Sequence, residues 1–257
     1  MIILAIGDIV SAQGCEHLQN TLWKLKKEYS PDLVIANGEN SAVGNGILPQ
    51  SANHIFDCGV NVITLGNHSL KRPEIYDYLN TNSAIIRPAN YHASAPGKGS
   101  VIIDCKKHQA AVINLQGTVY LDNNESPFDA ADREIKAVKD AGADIIIVDF
   151  HAEATAEKRA LGFYLDGRVS AIFGTHTHVQ TNDAQILPRK TAYITDLGMT
   201  GAYYSVLGIK PELAIEKIRT NLPVRFKNED GPCVLEGCVF EIDDKTGLAV
   251  SATPVRR

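Results

Sequence analysis

Five short apolar runs, each followed at once by polar residues, constrain the fold of this chain most strongly. Runs this short and this rich in Ile, Val and Leu are typical of strands buried on both faces, as in a parallel sheet. In open α/β sheets the binding site lies just beyond the carboxyl ends of the strands, so we expect the polar residues to converge there. The runs are residues 2–6, 33–36, 62–65, 145–148 and 169–173, followed by Gly7-Asp8, Asn37-Gly38-Glu39-Asn40, Gly66-Asn67-His68, Asp149-Phe150-His151 and Gly174-Thr175-His176-Thr177-His178.

The residue types at these five ends are those that bind a pair of transition-metal ions. Such a pair takes mixed oxygen and nitrogen ligands, two or more imidazoles and a bridging carboxylate. The most specific motif is His176-Thr177-His178, because residues two apart in an extended segment point to one side and can face one metal cluster. In isolation the motif fits two ordinary loop histidines about equally well. The strand and glycine before it favour metal ligands.

The other candidates each have a structural alternative. Glu39 can bridge two cations, or it can be a helix-capping or solvated acid. Asn40 can supply a carbonyl oxygen to a metal or orient Glu39. Asn67 and His68 are neighbours in a strand-like segment and should point to opposite faces, which predicts Asn67 as an oxygen ligand and His68 as a proton donor outside the metal shell. A plain turn is the alternative for this pair.

Asp8 and His151 are weak signals when each is taken alone. Asp8 could be a turn acid or a helix cap, and His151 could be a satisfied core histidine. The convergence of five independent strand ends is what favours the metal site over these alternatives.

Bulk composition excludes several function classes. The chain has 257 residues, is 44% hydrophobic and carries a net charge of −5, with no membrane-length apolar run. Neither the total charge nor a local cluster of Lys and Arg supplies a nucleic-acid or membrane footprint, so we expect no stable binding to either. The five cysteines are odd in number and form no CxxC pair, which predicts reduced thiols in a cytoplasmic protein. A single domain over residues 1–257 is the simplest prediction, because no linker or repeat interrupts the chain.

Periodicity and turn residues predict the remaining elements. We expect a hairpin from residues 101–105 and 110–115. We also expect strands at 192–195, 224–226, 234–242 and 249–253, with the third of these only half buried. Helices are predicted at residues 15–28, 50–58, 73–79, 130–141, 155–164 and 211–220.

Taken in order, these residues resemble the calcineurin-like metallophosphoesterase superfamily, and within it the YmdB-type bacterial phosphodiesterases. The resemblance covers essentially the whole chain. The strings that carry it are Gly7-Asp8-Ile9-Val10, Asn37-Gly38-Glu39-Asn40, Arg87-Pro88-Ala89-Asn90, Asn114-Leu115-Gln116-Gly117, Asp149-Phe150-His151-Ala152-Glu153-Ala154, Gly174-Thr175-His176-Thr177-His178-Val179-Gln180-Thr181, Asp196-Leu197-Gly198-Met199-Thr200-Gly201 and Thr220-Asn221-Leu222-Pro223-Val224-Arg225-Phe226.

The resemblance implies an α/β fold built as a four-layer α/β/β/α sandwich. It also implies a metal-dependent phosphodiesterase that hydrolyses cyclic nucleotides, with 2′,3′-cyclic AMP favoured, at a di-iron or di-manganese centre. The roles it implies are Asp8, Asn40 and His178 for the first metal, Glu39 as the bridge, Asn67, His151 and His176 for the second metal, and His68 as the catalytic acid.

The chain departs from the family pattern at a few positions. Val10 stands where the wider superfamily has a histidine, and Asn40 is expected to compensate. Ser11 replaces a usual glycine. Ser69-Leu70-Lys71 follow His68 where Thr-Trp-Asp is usual, which could alter substrate stacking or the orientation of His68.

Charge suggests the mechanism. Two divalent ions bring about +4, and Asp8, Glu39 and a bridging hydroxide remove about 3, which leaves a positive pocket for a phosphodiester. The predicted reaction is attack by the metal-bridging hydroxide while His68 protonates the departing ribose oxygen. The alternatives are a nucleotide-sensing regulator with little turnover and a phosphomonoesterase. The oligomeric state is left open, with a homo-oligomer as one option.

Overall fold

Two β-sheets, packed face to face with helices on their outer sides, make up the computed structural model, which describes residues 1–122 and 124–257. The strands are β1 (Ile2–Ile6), β2 (Asp8–Ile9), β3 (Leu33–Asn37), β4 (Val62–Thr64), β5 (Ile85–Ile86), β6 (Ser100–Asp104), β7 (Gln109–Gln116), β8 (Ile145–His151), β9 (Ala171–Thr175), β10 (Gln185–Ile186), β11 (Ala192–Ile194), β12 (Met199–Ala202), β13 (Cys233–Ile242) and β14 (Ala249–Arg256). The helices are α1 (Ser11–Tyr29), α2 (Pro49–Asp57), α3 (Tyr76–Thr81), α4 (Pro127–Asp140), α5 (Thr155–Leu165) and α6 (Pro211–Thr220), with a short 3-10 helix (Pro73–Ile75) before α3.

The two sheets differ in strand direction. The first has the order β2-β12-β13-β1-β3-β4-β5, with β14 paired to β13. In it, β1, β3 and β4 run parallel, while β13 runs antiparallel to β1. The second has the order β10-β11-β9-β8-β7-β6, and its four strands β7, β8, β9 and β11 run parallel. The predicted hairpin is confirmed, since β6 and β7 pair antiparallel.

Alternation of side chains along the strands sorts the core into separate layers. In β1, Ile3 and Ala5 belong to the cluster between the two sheets, whereas Leu4 and Ile6 belong to the cluster under α1 and α2. A third cluster fills the space between the second sheet and the helices α4 and α5. Three apolar clusters separate four layers, so the α/β/β/α arrangement predicted from the sequence agrees with the structure.

Two predicted features of the C-terminal region are wrong. Residues 224–226 form no strand, and it is the chain directly after them that pairs with a loop, where the Lys210 amide donates to the Lys227 carbonyl at 3.0 Å. The strand β13 is buried along most of its length rather than on one face, because it lies between β1 and β12 and carries β14 as a further partner.

The parallel strands of both sheets end at the same edge of the molecule, and this edge carries the predicted ligands. Within the described residues, no helix is both long and apolar enough to cross a membrane. The single domain stays a prediction.

Candidate metal centre

All eight predicted residues lie together at the carboxyl ends of the strands. The first sheet contributes Asp8 from β2, Glu39 and Asn40 from the turn after β3, and Asn67 and His68 from the turn after β4. The second sheet contributes three imidazoles. They are His151 at the end of β8, and His176 and His178 just after β9.

Asp8, Asn40 and His178 form the first half of the site. His178 Nε2 lies 3.5 Å from Asp8 Oδ1 and 3.3 Å from Asn40 Nδ2. Asn40 Nδ2 is also 3.4 Å from Asp8 Oδ1. The two ends of a side-chain amide have the same shape, so turning this amide over places its oxygen among the same ligands.

Asn67, His151 and His176 form the second half of the site. His151 Nε2 lies 3.0 Å from Asn67 Oδ1 and 3.0 Å from His176 Nδ1. The two rings meet edge to face, with centroids 4.7 Å apart. A side chain at Gly66 would come within 2.1 Å of the His151 ring, so the approach of β4 to β8 requires glycine there.

Glu39 lies between the two halves. Its Oε1 is 3.0 Å from His151 Nε2 in one half and 3.4 Å from Asn40 Nδ2 in the other. Its Oε2 accepts a hydrogen bond of 2.8 Å from the His68 amide. The carboxylate therefore contacts a side chain of each half of the cluster.

The set of atoms fits a cation better than it fits hydrogen bonding alone. Ligand atoms of Glu39, His151 and His176 all lie within 4.8 Å of one another. His151 Nε2 has three polar neighbours at 3.0 Å, the oxygens of Glu39 and Asn67 and the nitrogen of His176. One imidazole nitrogen carries at most one proton and cannot bond all three, whereas a metal ion can bind several lone pairs at once.

Burial and mutual contact perturb the protonation of these groups strongly. Burial raises the pKa of Asp8, but contact with His178 outweighs it and holds that pKa well below its usual range. Burial lowers the pKa of His151, but the Glu39 carboxylate beside it raises that pKa to about 9. Burial and the nearby His151 lower the pKa of His176 to about 4. Clusters of strongly shifted groups in a cleft are typical of functional sites.

His68 stands beside the cluster. Its Nε2 lies 3.3 Å from Asn45 Nδ2, and its Nδ1 has no hydrogen-bond partner among the described residues. Asn67 and His68 lie in a turn, so the prediction of opposite faces of a strand is wrong in its geometry. The two still separate, because Asn67 faces His151 and His68 faces the open cleft.

The His176-Thr177-His178 segment is a tight turn, so the expectation that an extended backbone points both imidazoles to one side is wrong. His176 has φ 101° and His178 has φ 59°, both in the left-handed region that residues other than glycine rarely adopt. The turn sends His176 to one half of the site and His178 to the other, which is the division that the family resemblance implies.

A buried ion pair holds this turn in place. Lys158 on α5 donates to Asp196 Oδ2 at 2.6 Å and to the Thr175 carbonyl at 2.9 Å. Asp196 also accepts from the Thr177 amide at 3.1 Å. Asp196 belongs to one of the strings that carry the family resemblance, but Lys158 lies in a helix, where nothing in the local pattern distinguishes it from a surface lysine.

A second buried network supports His151 from below. Its Nδ1 lies 2.9 Å from Thr175 Oγ1, which donates to Asp149 Oδ1 at 2.8 Å. Thr64 donates to the other oxygen of Asp149. Hydrogen bonds of this kind fix the ring orientation of a metal-binding imidazole.

The site opens into a cleft of about 340 Å³. One wall is polar and includes His68 and Asn45, and the other is apolar and includes Leu207, Ile209 and Phe226. Phe226 lies in the segment predicted as a strand, and no local pattern indicates that its ring would reach the site.

A known protein family matches nearly the whole chain, including all eight residues of the candidate site. The profile of the YmdB-like protein family matches residues 4–255. The chain belongs to this family. The whole fold and not only the site is therefore shared with its members.

Two of three similar proteins have names that state phosphoester chemistry. A 2′,3′-cyclic-nucleotide 2′-phosphodiesterase of Bacillus subtilis is 46% identical over 97% of this chain and 94% of its own length. The crystal structure of a hypothetical protein from Thermus thermophilus superposes with a TM-score of 0.93 at 36% identity, covering 100% of this chain and 99% of that one. A Mycoplasma pneumoniae phosphatase superposes with a TM-score of 0.93 at 33% identity, covering 100% and 93% of the two chains.

Proposed function

We propose that this protein hydrolyses 2′,3′-cyclic nucleotides at a metal centre held by seven of the eight clustered residues, with His68 beside it. The convergence of carboxylate, amide and imidazole ligands around Glu39, at the mouth of a cleft, is the observation that carries the proposal. The chain is a hydrolase of the phosphodiesterase class, in keeping with its family and its Bacillus relative. That relative's printed activity supports the choice of a cyclic nucleotide.

Two transition-metal ions, iron or manganese, fit the two halves of the site. Asp8, Asn40 and His178 would hold one, Asn67, His151 and His176 would hold the other, and Glu39 would contact both. When bound, the ions supply positive charge for the phosphate group and lower the pKa of water.

His68 is proposed to protonate the departing ribose oxygen. Its backbone amide is tied to Glu39, which fixes the imidazole beside the ligands without making it one of them. A proton donor must reach the leaving oxygen on the open side of the site, and His68 lines the cleft there. Contact between Asn45 and His68 Nε2 orients the ring.

The apolar wall suits the nucleoside part of the substrate. Phe226 is 49% exposed and lines the same cleft as His68. Bases stack readily on aromatic rings. Ser69 and Leu70 stand where a Thr-Trp pair is usual, so this chain lacks that tryptophan. Among the described residues that line the cleft, Phe226 is the one with a benzene-type ring.

The proposal is tested by metal analysis combined with a substrate panel. The purified chain, loaded with Mn²⁺ or Fe²⁺, should hydrolyse 2′,3′-cyclic AMP and bis-p-nitrophenyl phosphate faster than p-nitrophenyl phosphate. Tight binding of 2′,3′-cyclic AMP without product would instead make the protein a nucleotide sensor. Preference for the monoester would make it a phosphomonoesterase.

The role of His68 has a separate test. The His68→Ala variant should lose turnover by roughly 10²–10⁴-fold, the range typical of general acid catalysis, while its metal content stays at the wild-type level. His17→Ala is a matched control, because this histidine of α1 is half-buried like His68 but lies outside the cleft. Full turnover in His68→Ala would remove the residue from the mechanism.

A further inference from the structure

A second cavity, larger than the catalytic cleft, lies beside the Arg87-Pro88-Ala89-Asn90 motif. It has a volume of about 840 Å³ and shares no lining residue with the cleft that contains His68. Tyr91 lines it and marks its boundary with the metal centre, since the Tyr91 hydroxyl lies 3.0 Å from the Gly66 carbonyl. The motif has no part in the proposed reaction, so its chemistry needs its own explanation.

Arg87 is a buried cation that no carboxylate of the described residues bonds directly, although Glu134 lies near enough to act on its charge. The residue is 6% exposed, and no carboxylate oxygen of the described residues lies within 4.0 Å of its guanidinium. One nitrogen donates to the Pro88 carbonyl at 2.8 Å and another reaches the Ala95 carbonyl at 3.5 Å. Its Nε has no partner among the described residues. Buried charges are normally paired, because removing them from water is costly.

The remaining charges of the cavity leave a positive excess. Arg133 is committed to Glu125 and Glu134, which lie on the same wall. Lys98 is exposed, forms no ion pair within the described part of the chain and lines the cavity together with Arg87. Both acids of the cavity pair directly with Arg133, and Glu134 acts on Arg87 only at longer range. Arg87 and Lys98 therefore keep donors that an anion can bind.

We propose that this cavity is a second binding site, specific for a small molecule that carries a phosphate group. A planar guanidinium and a flexible ammonium together suit the several acceptor oxygens of phosphate. The volume also leaves room for an organic part beside the phosphate. An occupant would contact Tyr91. The hydroxyl of Tyr91 donates to the Gly66 carbonyl, directly before Asn67 and His68, so the cavity is linked to the metal centre through this bond.

The test is calorimetric titration of the full-length, metal-loaded protein with inorganic phosphate. Two binding events are expected, one at the metal centre and one in the cavity. Lys98→Met should weaken the cavity event by about tenfold, as the loss of one charge-assisted hydrogen bond does, and leave the other unchanged. Lys24→Met, at an exposed lysine of α1, is the matched control and should change neither.

Arg87→Met should remove the cavity event entirely. Because Arg87 also bonds the chain at Pro88, Lys98→Met keeps the test valid even where Arg87→Met does not fold. A single binding event in the wild type that Asp8→Ala abolishes, or two events that both persist unchanged in Lys98→Met, would overturn the proposal. Neither result bears on whether the metal centre hydrolyses cyclic nucleotides.

Discussion

The two sheets supply the site differently. The first sheet contributes all the candidate oxygen ligands, and its residues are held mainly by main-chain bonds of their own turns, such as the Ser41 amide to Gly38 and the Ser69 amide to Gly66. The second sheet contributes the three imidazoles of the candidate site, and side chains of other residues hold them: Asp196 bonds the Thr177 amide and Thr175 bonds the His151 ring. Substitutions of supporting residues should therefore weaken metal binding more when they lie beside the imidazoles of the second sheet than when they lie beside the oxygen groups of the first.

Removal of a proposed ligand should give the largest loss of metal content and turnover. The loss should be nearly equal whether the ligand comes from the first or the second sheet. Asp8→Ala and His151→Ala each delete a buried ligand, and each should lower metal content as well as turnover. The loss should exceed the roughly 10–100-fold typical of an indirect support. Elemental analysis of the purified variants decides this. Full metal content in either variant would exclude that residue as a ligand.

Breaking the buried ion pair should give the next largest effect, on folding. Lys158→Met leaves the Asp196 carboxylate buried without its cation, which typically costs about 3–5 kcal/mol of unfolding free energy. The double variant with Asp196→Asn removes both charges and should recover part of the loss. Urea unfolding followed by circular dichroism measures both. A single variant as stable as the wild type would show that the pair does not hold the His176-Thr177-His178 turn.

Removal of one hydroxyl tests the asymmetry directly. Thr175→Val should weaken metal binding by about 10–100-fold, because His151 loses the bond that orients its ring. Ser69→Ala is the matched change on the first sheet. It should have a much smaller effect, because the Ser69 amide still bonds the Gly66 carbonyl at 3.0 Å. Metal affinity by competition with a chelator compares them, and equal losses would remove the distinction between the sheets.

The smallest effect should be a pH dependence of stability that comes from Asp183. This carboxylate accepts hydrogen bonds from Thr181 and Thr195, close to β11 of the second sheet. Burial raises the pKa of Asp183, but hydrogen bonds from Thr195 and Thr181 outweigh it and hold that pKa below the usual value. A carboxyl with a lowered pKa adds stability above its unfolded-state pKa and loses it as pH falls through the folded-state pKa.

Asp183→Asn should therefore flatten the decline in stability between about pH 5 and about pH 3. Urea midpoints of wild type and variant across this range measure it. Parallel curves for the two proteins would mean that Asp183 contributes nothing through its charge.

The clustering of the candidate ligands could be predicted because short-range features of the sequence place them. Each ligand follows an apolar run at once, and the edge of a parallel sheet brings such positions together, so Asp8, Glu39 and His151 could be found without coordinates. The supports could not be found in this way. Lys158 meets Asp196 across 38 positions of sequence, and only the packing of α5 on the second sheet brings them together.

Backbone conformation and loop pairing set the other limits. The left-handed φ angles of His176 and His178 are held by tertiary contacts, so an extended segment was the natural but wrong prediction. Residues 224–226 have strand-like composition but meet no free sheet edge. Residues 227–229, directly after them, pair with the loop at residues 208–210, and Phe226 beside this pairing lines the cleft, which local pattern could not show.

The placement of β13 beside β1 has a consequence for how the protein is made. Ile2 pairs with Glu241, so the chain must leave the ribosome through β13 before β1 gains its antiparallel neighbour. Until then a long apolar edge stays open to other nascent chains, and unpaired edges of this kind favour aggregation. A premature stop just before Cys233 would thus remove a central strand and leave β1 without its antiparallel neighbour.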